Sequence, residues 1–328
     1  MNKTIKKLFI SVLSFVFAVL LFGTVSYAWF SIATTNVVYD IGLGITADNN
    51  FEISLDGINY YQRLTKEEII KVVGDNLKLS DVTSHDGINF SKGFLFEEEI
   101  PLKNVDYLSL TLYFRTITSY EVDVYLVDNV SRDAYLNKDI DGTFLISKGS
   151  NWKSDTTFTY GPNPLTDVIE IEERHVFYSA EAVRIGFVEK KNENNINDQR
   201  TEADLNTIIF DLSRDPSRGY GANYGSLDYV NNKLKTNYEP PTTTQNVVTE
   251  LTAFDEFNPY VPLDKNSFIL KMIKTNEYDL KGNSFYKGSV ELNIWLEGWD
   301  ADCFDAIHYD PLTIQLKFKG SRKIINEY

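Results

Sequence analysis

Cysteine is almost missing from this chain of 328 residues: Cys303 is its one thiol, so no internal disulfide can form. That excludes a disulfide-stapled secreted module and leaves stability to a packed core, with Cys303 itself expected as a buried thiol. Histidine is scarce too. His85, His175 and His308 are spaced too widely to supply the two-His face of a His-Glu-x-x-His helix. No Gly-x-Ser-x-Gly occurs and no Gly-rich phosphate loop follows a strand pattern, so no hydrolase or nucleotide motif is present. Positive charge is in deficit. The net charge is −15, and because residues 1–28 hold three Lys and no acid, the remainder carries −18. Such a surface repels nucleic acid and anionic lipid, which argues against polyanion binding.

What the chain does have begins at Met1. Lys3, Lys6 and Lys7 precede an apolar run from Leu8 to Val25, and Ser26-Tyr27-Ala28 places small residues at the two positions that a signal peptidase reads. Residues 1–28 therefore read as an export signal, cleaved after Ala28 to leave Trp29-Phe30 at the new N-terminus. The alternative is an uncleaved membrane anchor over residues 8–30, whose length approaches a bilayer span. Under both readings the body, residues 29–328, lies at the cell surface or outside the cell. The C-terminal Lys323 to Tyr328 offers no apolar tail or sortase-type motif for wall anchoring.

The body holds most of the 20 Tyr and 21 Phe, with many Val, Ile and Thr, a composition that favours strands. Val37, Val38, Ile41, Leu43 and Ile45 mark a strand over Thr35–Thr46, with a bulge or close approach expected at Gly42 and Gly44. Phe51, Ile53 and Leu55 alternate up to an Asp56-Gly57 turn, and Asp86-Gly87 marks another. Thr65-Lys66-Glu67-Glu68 is a capping box opening a short helix that Gly74 ends. Tyr107–Thr118 and Tyr120–Asp128 each carry one apolar face and are expected to be adjacent strands. Phe144–Ile146, Val176–Val188, Thr207–Leu212 and Phe268–Ile273 read as further strands, the second with an outward-facing Arg184. Ser289–Gly298 and Leu312–Phe318 alternate clearly and should pair or lie in facing sheets. Long surface insertions are expected at about 190–205 and 214–245, the latter with a short helix near Leu227–Leu234. Many short strands without a βαβ rhythm predict one all-β domain, a jelly-roll-like β-sandwich with a few short helices.

Two stretches together resemble a known family. The leader ending Gly23-Thr24-Val25-Ser26-Tyr27-Ala28-Trp29-Phe30-Ser31 is similar to those of TasA/camelysin-type exported proteins of Gram-positive bacteria. The block Val290-Glu291-Leu292-Asn293-Ile294-Trp295-Leu296-Glu297-Gly298-Trp299-Asp300-Ala301-Asp302-Cys303 resembles a C-terminal signature of related surface proteins. The likeness covers about 60 residues and leaves the middle of the chain unmatched. It implies a jelly-roll sandwich, release at the cell surface and assembly into fibres of a biofilm matrix. Within such fibres the freed segment, here residues 29–38, completes a neighbour's sheet by strand addition. The competing reading makes that segment an ordinary first strand of its own domain. Camelysin-like relatives also carry metalloprotease activity, which the missing zinc motif argues against here.

The candidate site is acidic: Glu297, Asp300, Asp302, Asp305 and Asp310. Asp300 and Asp302 at alternate positions, with Asp305, resemble the start of a calcium loop, though the later Gly and bidentate Glu of an EF-hand are absent. The competing reading has Asp300 and Asp302 accepting from turn amides, with Glu297 solvated or salt-bridged. Trp295 and Trp299 are candidates for a sugar-stacking platform, against the ordinary reading of core or rim packing. The Tyr-rich stretch Tyr220–Tyr238 is a candidate partner surface or a mobile loop. Cys303 lacks a basic neighbour to stabilise a thiolate, which argues against a nucleophile. Weighed together, these features predict a non-enzymatic structural protein of the surface or matrix that contacts envelope or matrix components or its own copies. The alternative is a monomeric adhesin or carbohydrate-binding sandwich.

Overall fold

The computed structural model describes residues 7, 10–17, 35–46, 51–75, 77–92, 99–128, 142–213 and 215–322. The expected cleavage junction at Ala28 and the segment 29–34 lie outside these. Residues 10–17 are helical, with Ile10, Val12, Phe15 and Phe17 exposed. Among the described residues no helix is long and apolar enough to cross a membrane.

The rest is mostly β. In chain order the strands are β1 (Thr35–Ile45), β2 (Phe51–Ser54), β3 (Arg63–Leu64), β4 (Lys78–Thr83), β5 (Ser91–Lys92), β6 (Leu108–Ile117), β7 (Val122–Leu126), β8 (Phe144–Ser147) and β9 (Ser150–Lys153). They continue with β10 (Phe158–Thr159), β11 (Val168–Ile169), β12 (Arg174–Phe177), β13 (Val183–Lys190), β14 (Thr207–Asp211), β15 (Val247–Val248), β16 (Phe268–Tyr278), β17 (Ser284–Glu297) and β18 (Leu312–Gly320). One layer is built on β17, which pairs antiparallel with β6 along one edge and with β13 along the other, extended by β2 outside β6 and by β14 and β15 outside β13. The second layer contains β3, β1, β18 and β7, with β8 beside the start of β18.

Two strands belong to both layers. β16 pairs with β7 through Met272 and with β17 from Ile273 onward, while β1 pairs with β4 over Thr35–Val37 and then runs parallel to β18. The result is a barrel-like sandwich whose faces are joined by continuous backbone.

The alternation read from the sequence is the core. Leu110, Leu112 and Phe114 of β6, Leu292, Ile294 and Leu296 of β17, and Ile314, Leu316 and Phe318 of β18 are all buried. Phe318 meets Phe114 at 5.2 Å and Phe187 at 5.9 Å between ring centres, so β17 and β18 occupy facing layers. The capped helix spans Lys66–Val73 as expected: the Thr65 amide donates to the Glu68 carboxylate at 2.7 Å and Gly74 closes the last turn at φ +91°.

Several expectations are corrected. β6 and β7 are not adjacent: β6 lies between β2 and β17, and β7 between β16 and β18. The linker Thr118–Glu121 carries no Asn-Gly or Asp-Gly to fold a tight hairpin, so the chain crosses between layers there. The irregularity in β1 falls between Val38 and Asp40, whereas Gly42 and Gly44 pair in step with Gln315 and Lys317. Val176–Val188 is not one strand, because a 3-10 turn at Ser179–Ala182 separates β12 from β13. The 214–245 segment is only in part a surface insertion. Its helix Ser226–Leu234 buries Leu227, Tyr229 and Val230 in the main core.

A hexapeptide recurs in two turns. Ser54-Leu55-Asp56-Gly57-Ile58-Asn59 and Ser84-His85-Asp86-Gly87-Ile88-Asn89 fold into the same turn. In each, the Ser hydroxyl accepts from the Gly amide at 2.9 Å, and the Asp carboxylate accepts from the Ile and Asn amides at 2.7–2.9 Å. The Gly sits at φ +71° or +74°, a conformation that disfavours a Cβ. The second turn lies over the outer face of the β17 layer, where the Gly87 carbonyl accepts from Asn293 Nδ2 and Phe90 meets Trp295 edge-on at 5.3 Å.

Candidate functional site

The acidic block follows β17, and each of its carboxylates is claimed by a different neighbour. Glu297 is fully buried. It accepts from Trp295 Nε1 at 3.0 Å, Gln245 Nε2 at 2.9 Å, the Trp299 amide at 3.1 Å and the Ser84 amide at 3.4 Å. The expectation of a solvated or salt-bridged Glu297 is thereby corrected: the carboxylate is satisfied by neutral donors from three separate segments.

Asp300 accepts from the Asp302 amide at 2.9 Å, the turn bond expected of it, and also pairs with Arg184 at 2.5 Å. Arg184 is the strand residue read as outward. It does point away from the core of the sandwich, but that outer face is roofed by the 214–245 segment, and Gly219 packs close enough that a Cβ there would lie 3.1 Å from the guanidinium. Arg184 is consequently fully buried, with Asp211 of β14 as a second partner at 3.0 Å. Burial would lower the Arg184 pKa, but Asp300 and Asp211 outweigh it and hold the guanidinium charged. Two buried carboxylates share that one cation. Burial therefore pushes Asp300 well above the usual carboxylate range, with Arg184 acting in the opposite sense.

Asp302 forms a bidentate pair with Arg218, both bonds 2.8 Å, and accepts from Tyr160 Oη at 2.8 Å. Arg218 also lies 3.9 Å over the Tyr160 ring. Asp305 pairs with Lys233 at 2.5 Å and accepts from Tyr229 Oη at 2.8 Å. Asp310 receives the amides of Gly149 and Ser179, each at 2.9 Å. The calcium candidates Asp300, Asp302 and Asp305 thus face three different cations. Among the described residues no three His, Cys, Asp or Glu side chains gather as a set that could hold a metal ion.

Comparison of the chain with known protein families, with curated proteins and with solved structures finds no match.

Cys303 is buried, and burial pushes its thiol well above its ordinary range, with nearby Asp81 and Asp300 adding to the effect, so little thiolate is available. The three histidines stand on different elements. His85 is in the second hexapeptide turn, His175 on β12, and His308 after the last 3-10 turn, where its Nδ1 accepts from the Thr35 amide at 3.1 Å.

Of the two tryptophans considered as a sugar platform, Trp295 is excluded. It is fully buried in a small outer cluster with Val82, Tyr107 and Ile209, packed so tightly on Gly186 that a Cβ there would lie 3.1 Å from the indole. Trp299 is mostly buried but lines a groove of about 330 Å³ with Phe90 and Tyr220. The Tyr220–Tyr238 stretch does not act as one surface, since Tyr224 and Tyr229 are buried while Tyr238 is exposed. The sequence signal for the groove is the second Ser-x-Asp-Gly-Ile-Asn turn, a near copy of the first.

Proposed function

We propose that this chain is a non-enzymatic, exported structural protein of the bacterial cell surface or extracellular matrix, a jelly-roll sandwich that assembles into fibres by exchange of its N-terminal strand. The observation that carries the reading is the position of β1. It is the first strand among the described residues, and its ladder partners are β4 and β3 on one side and β18, from the far end of the chain, on the other. Val38, Ile41 and Leu43 fill the core from it. The same registers would be offered to β1 of a second copy, because main-chain pairing and alternate side-chain pockets do not distinguish the chain that supplies the strand. Residues 35–38 of the expected exchange segment pair within their own chain here, as the competing reading of an ordinary first strand expects; under the exchange reading this is the unexchanged form.

Asn36 adds a weakness to that strand. Its side chain is fully buried, and neither its Oδ1 nor its Nδ2 has a hydrogen-bond partner among the described residues. An unsatisfied buried amide costs about 1–3 kcal/mol, so β1 is held less tightly than its apolar contacts would allow.

The test is assembly of the purified chain followed by electron microscopy and sedimentation. Filaments should form in a concentration-dependent way, vanish when residues 29–38 are deleted, and be blocked by an added peptide of residues 35–45. Filaments that survive the deletion, or their absence at every concentration, would defeat the proposal. N-terminal sequencing of protein from medium and membrane fractions tests the export step, for which Trp29 is the expected first residue.

A further inference from the structure

The groove beside Trp299 is assembled from three segments far apart in sequence. The second hexapeptide turn and the residue after it contribute His85, Asn89 and Phe90, the 214–245 segment contributes Tyr220 and Thr243, and the turn that follows β17 contributes Trp299. Its volume of about 330 Å³ falls within the span of ligand pockets, roughly 300–1,000 Å³.

The walls are fixed to one another beneath the groove. Glu297 accepts from Ser84 of the turn, from Gln245 of the connector and from the Trp299 amide, and Gln245 Nε2 also donates to the Ser84 carbonyl at 2.6 Å. The Gly221 amide donates to the Trp299 carbonyl at 3.0 Å, and the Tyr220 and Thr243 hydroxyls lie 3.0 Å apart. Phe90 is stacked on Tyr107 at 4.4 Å. The buried carboxylate thus serves as the common tie of a preorganised cleft, a role that accounts for a fully buried acid whose hydrogen bonds all come from neutral donors.

We propose that this groove binds a neutral carbohydrate chain, taking roughly one to two sugar rings in its volume. Phe90, Tyr220 and Trp299 form the aromatic part of the lining, a surface type suited to the C–H side of a pyranose, and His85, Asn89 and Thr243 stand among them as polar groups, Asn89 donating to Asp86 at 2.7 Å and Thr243 bonded to Tyr220. Among the described residues no Lys or Arg lines the groove, and the chain carries −15, so phosphate, sulfate and uronate groups find no counter-charge from them. Among the same described residues no Asp or Glu lines it either, so they offer an amine no partner. The inference gives the carbohydrate-binding alternative a location and is independent of strand exchange.

The test uses the full chain with neutral oligosaccharides of glucose, galactose, mannose and N-acetylglucosamine, a uronate oligosaccharide and a proline-rich peptide, followed by calorimetry and tryptophan fluorescence. At least one neutral series should bind and perturb the indole emission. Tyr220→Ala should weaken binding by about tenfold or more, and Tyr220→Phe, which keeps the ring, should retain it. Tyr220→Ala removes packing against the core and should melt somewhat lower, so its binding is read well below that melt; both variants should assemble as the parent does, which separates failure here from failure of the fibre proposal. The inference is overturned if no neutral sugar binds, if Tyr220→Ala leaves binding unchanged, or if the uronate or the peptide is the ligand that binds.

Discussion

The amide of Thr35, the first residue of β1, donates to Nδ1 of His308 at 3.1 Å, and the Tyr309 amide donates back to the Thr35 carbonyl at 3.2 Å. The entry of the first strand is therefore tied to the loop before the last one by an acceptor that exists only while the imidazole is neutral.

That tie should be sensitive to acid. Burial lowers the His308 pKa below its usual 6.5, with Asp305 acting weakly the other way. A base depressed by folding contributes fully above its unfolded pKa, and the contribution is lost as pH falls through the lower folded value. Amide-exchange protection at Thr35 should accordingly drop on acidification while that at Ile41 persists, and His308→Ala should abolish the Thr35 protection at neutral pH, a loss of about 1 kcal/mol. Equal protection in the variant would show that the bond is not formed.

Arg184→Met should be among the most damaging changes to the fold. It leaves Asp300 and Asp211 buried without a cation, a loss of about 3–5 kcal/mol measurable by denaturant unfolding. Asp300→Asn should be much milder. Since burial raises Asp300 in the folded state, its contribution is complete below 3.8 and declines as pH rises through the folded value. The parent chain should therefore lose more stability between pH 5 and pH 8 than Asp300→Asn does, each pH being roughly chosen to bracket neutrality. Identical slopes would refute the shared-cation account.

The twin turns should be told apart by fluorescence, not by stability. Gly57→Ala and Gly87→Ala both force a side chain into positive φ, at about 1–2 kcal/mol. In both the new Cβ would also sit tightly, 3.3 Å from Tyr113 at Gly57 and 3.2 Å from Ile209 at Gly87. Thermal melts should fall by similar amounts, and only Gly87→Ala, whose turn covers Trp295, should alter tryptophan emission.

Asn36→Val replaces an unsatisfied buried amide with an apolar side chain suited to a strand. It should raise stability by about 1 kcal/mol or more and lengthen the lag before filaments appear. A stabilised variant that assembles at the parent rate would detach β1 from the assembly step.

Calcium and a chelator should leave the melting temperature unchanged, because Asp300, Asp302 and Asp305 are already engaged by Arg184, Arg218 and Lys233. A rise with calcium, reversed by chelator, would mean that these carboxylates leave those partners for a metal.

Alternation was the most legible signal in the sequence, because a strand with one buried face writes its environment every second residue. Leu292, Ile294, Leu316 and Phe318 follow directly from it, and Thr65 with Glu68 announces a helix start for equally local reasons. Partner choice was not legible. Nothing in β6 or β7 says that each seeks a different neighbour, since both satisfy their apolar faces in either arrangement. Arg184 shows the same limit: alternation gave its side of the sheet correctly, but the cover supplied by residues about 30 to 60 positions later turned that side into a second interior. The acidic block was found by composition, while its cations Arg184, Arg218 and Lys233 are brought to it only by the fold.

The parallel alignment of β1 with β18 carries a mechanical implication. Seven residue pairs, from Val38 opposite Leu312 to Ile45 opposite Phe318, lie side by side. Tension applied at the beginning of one strand and the far end of the other slides them lengthwise, loading all their bonds together instead of peeling them singly. A molecule strung between two attachments in this way would resist sudden stretching along that seam.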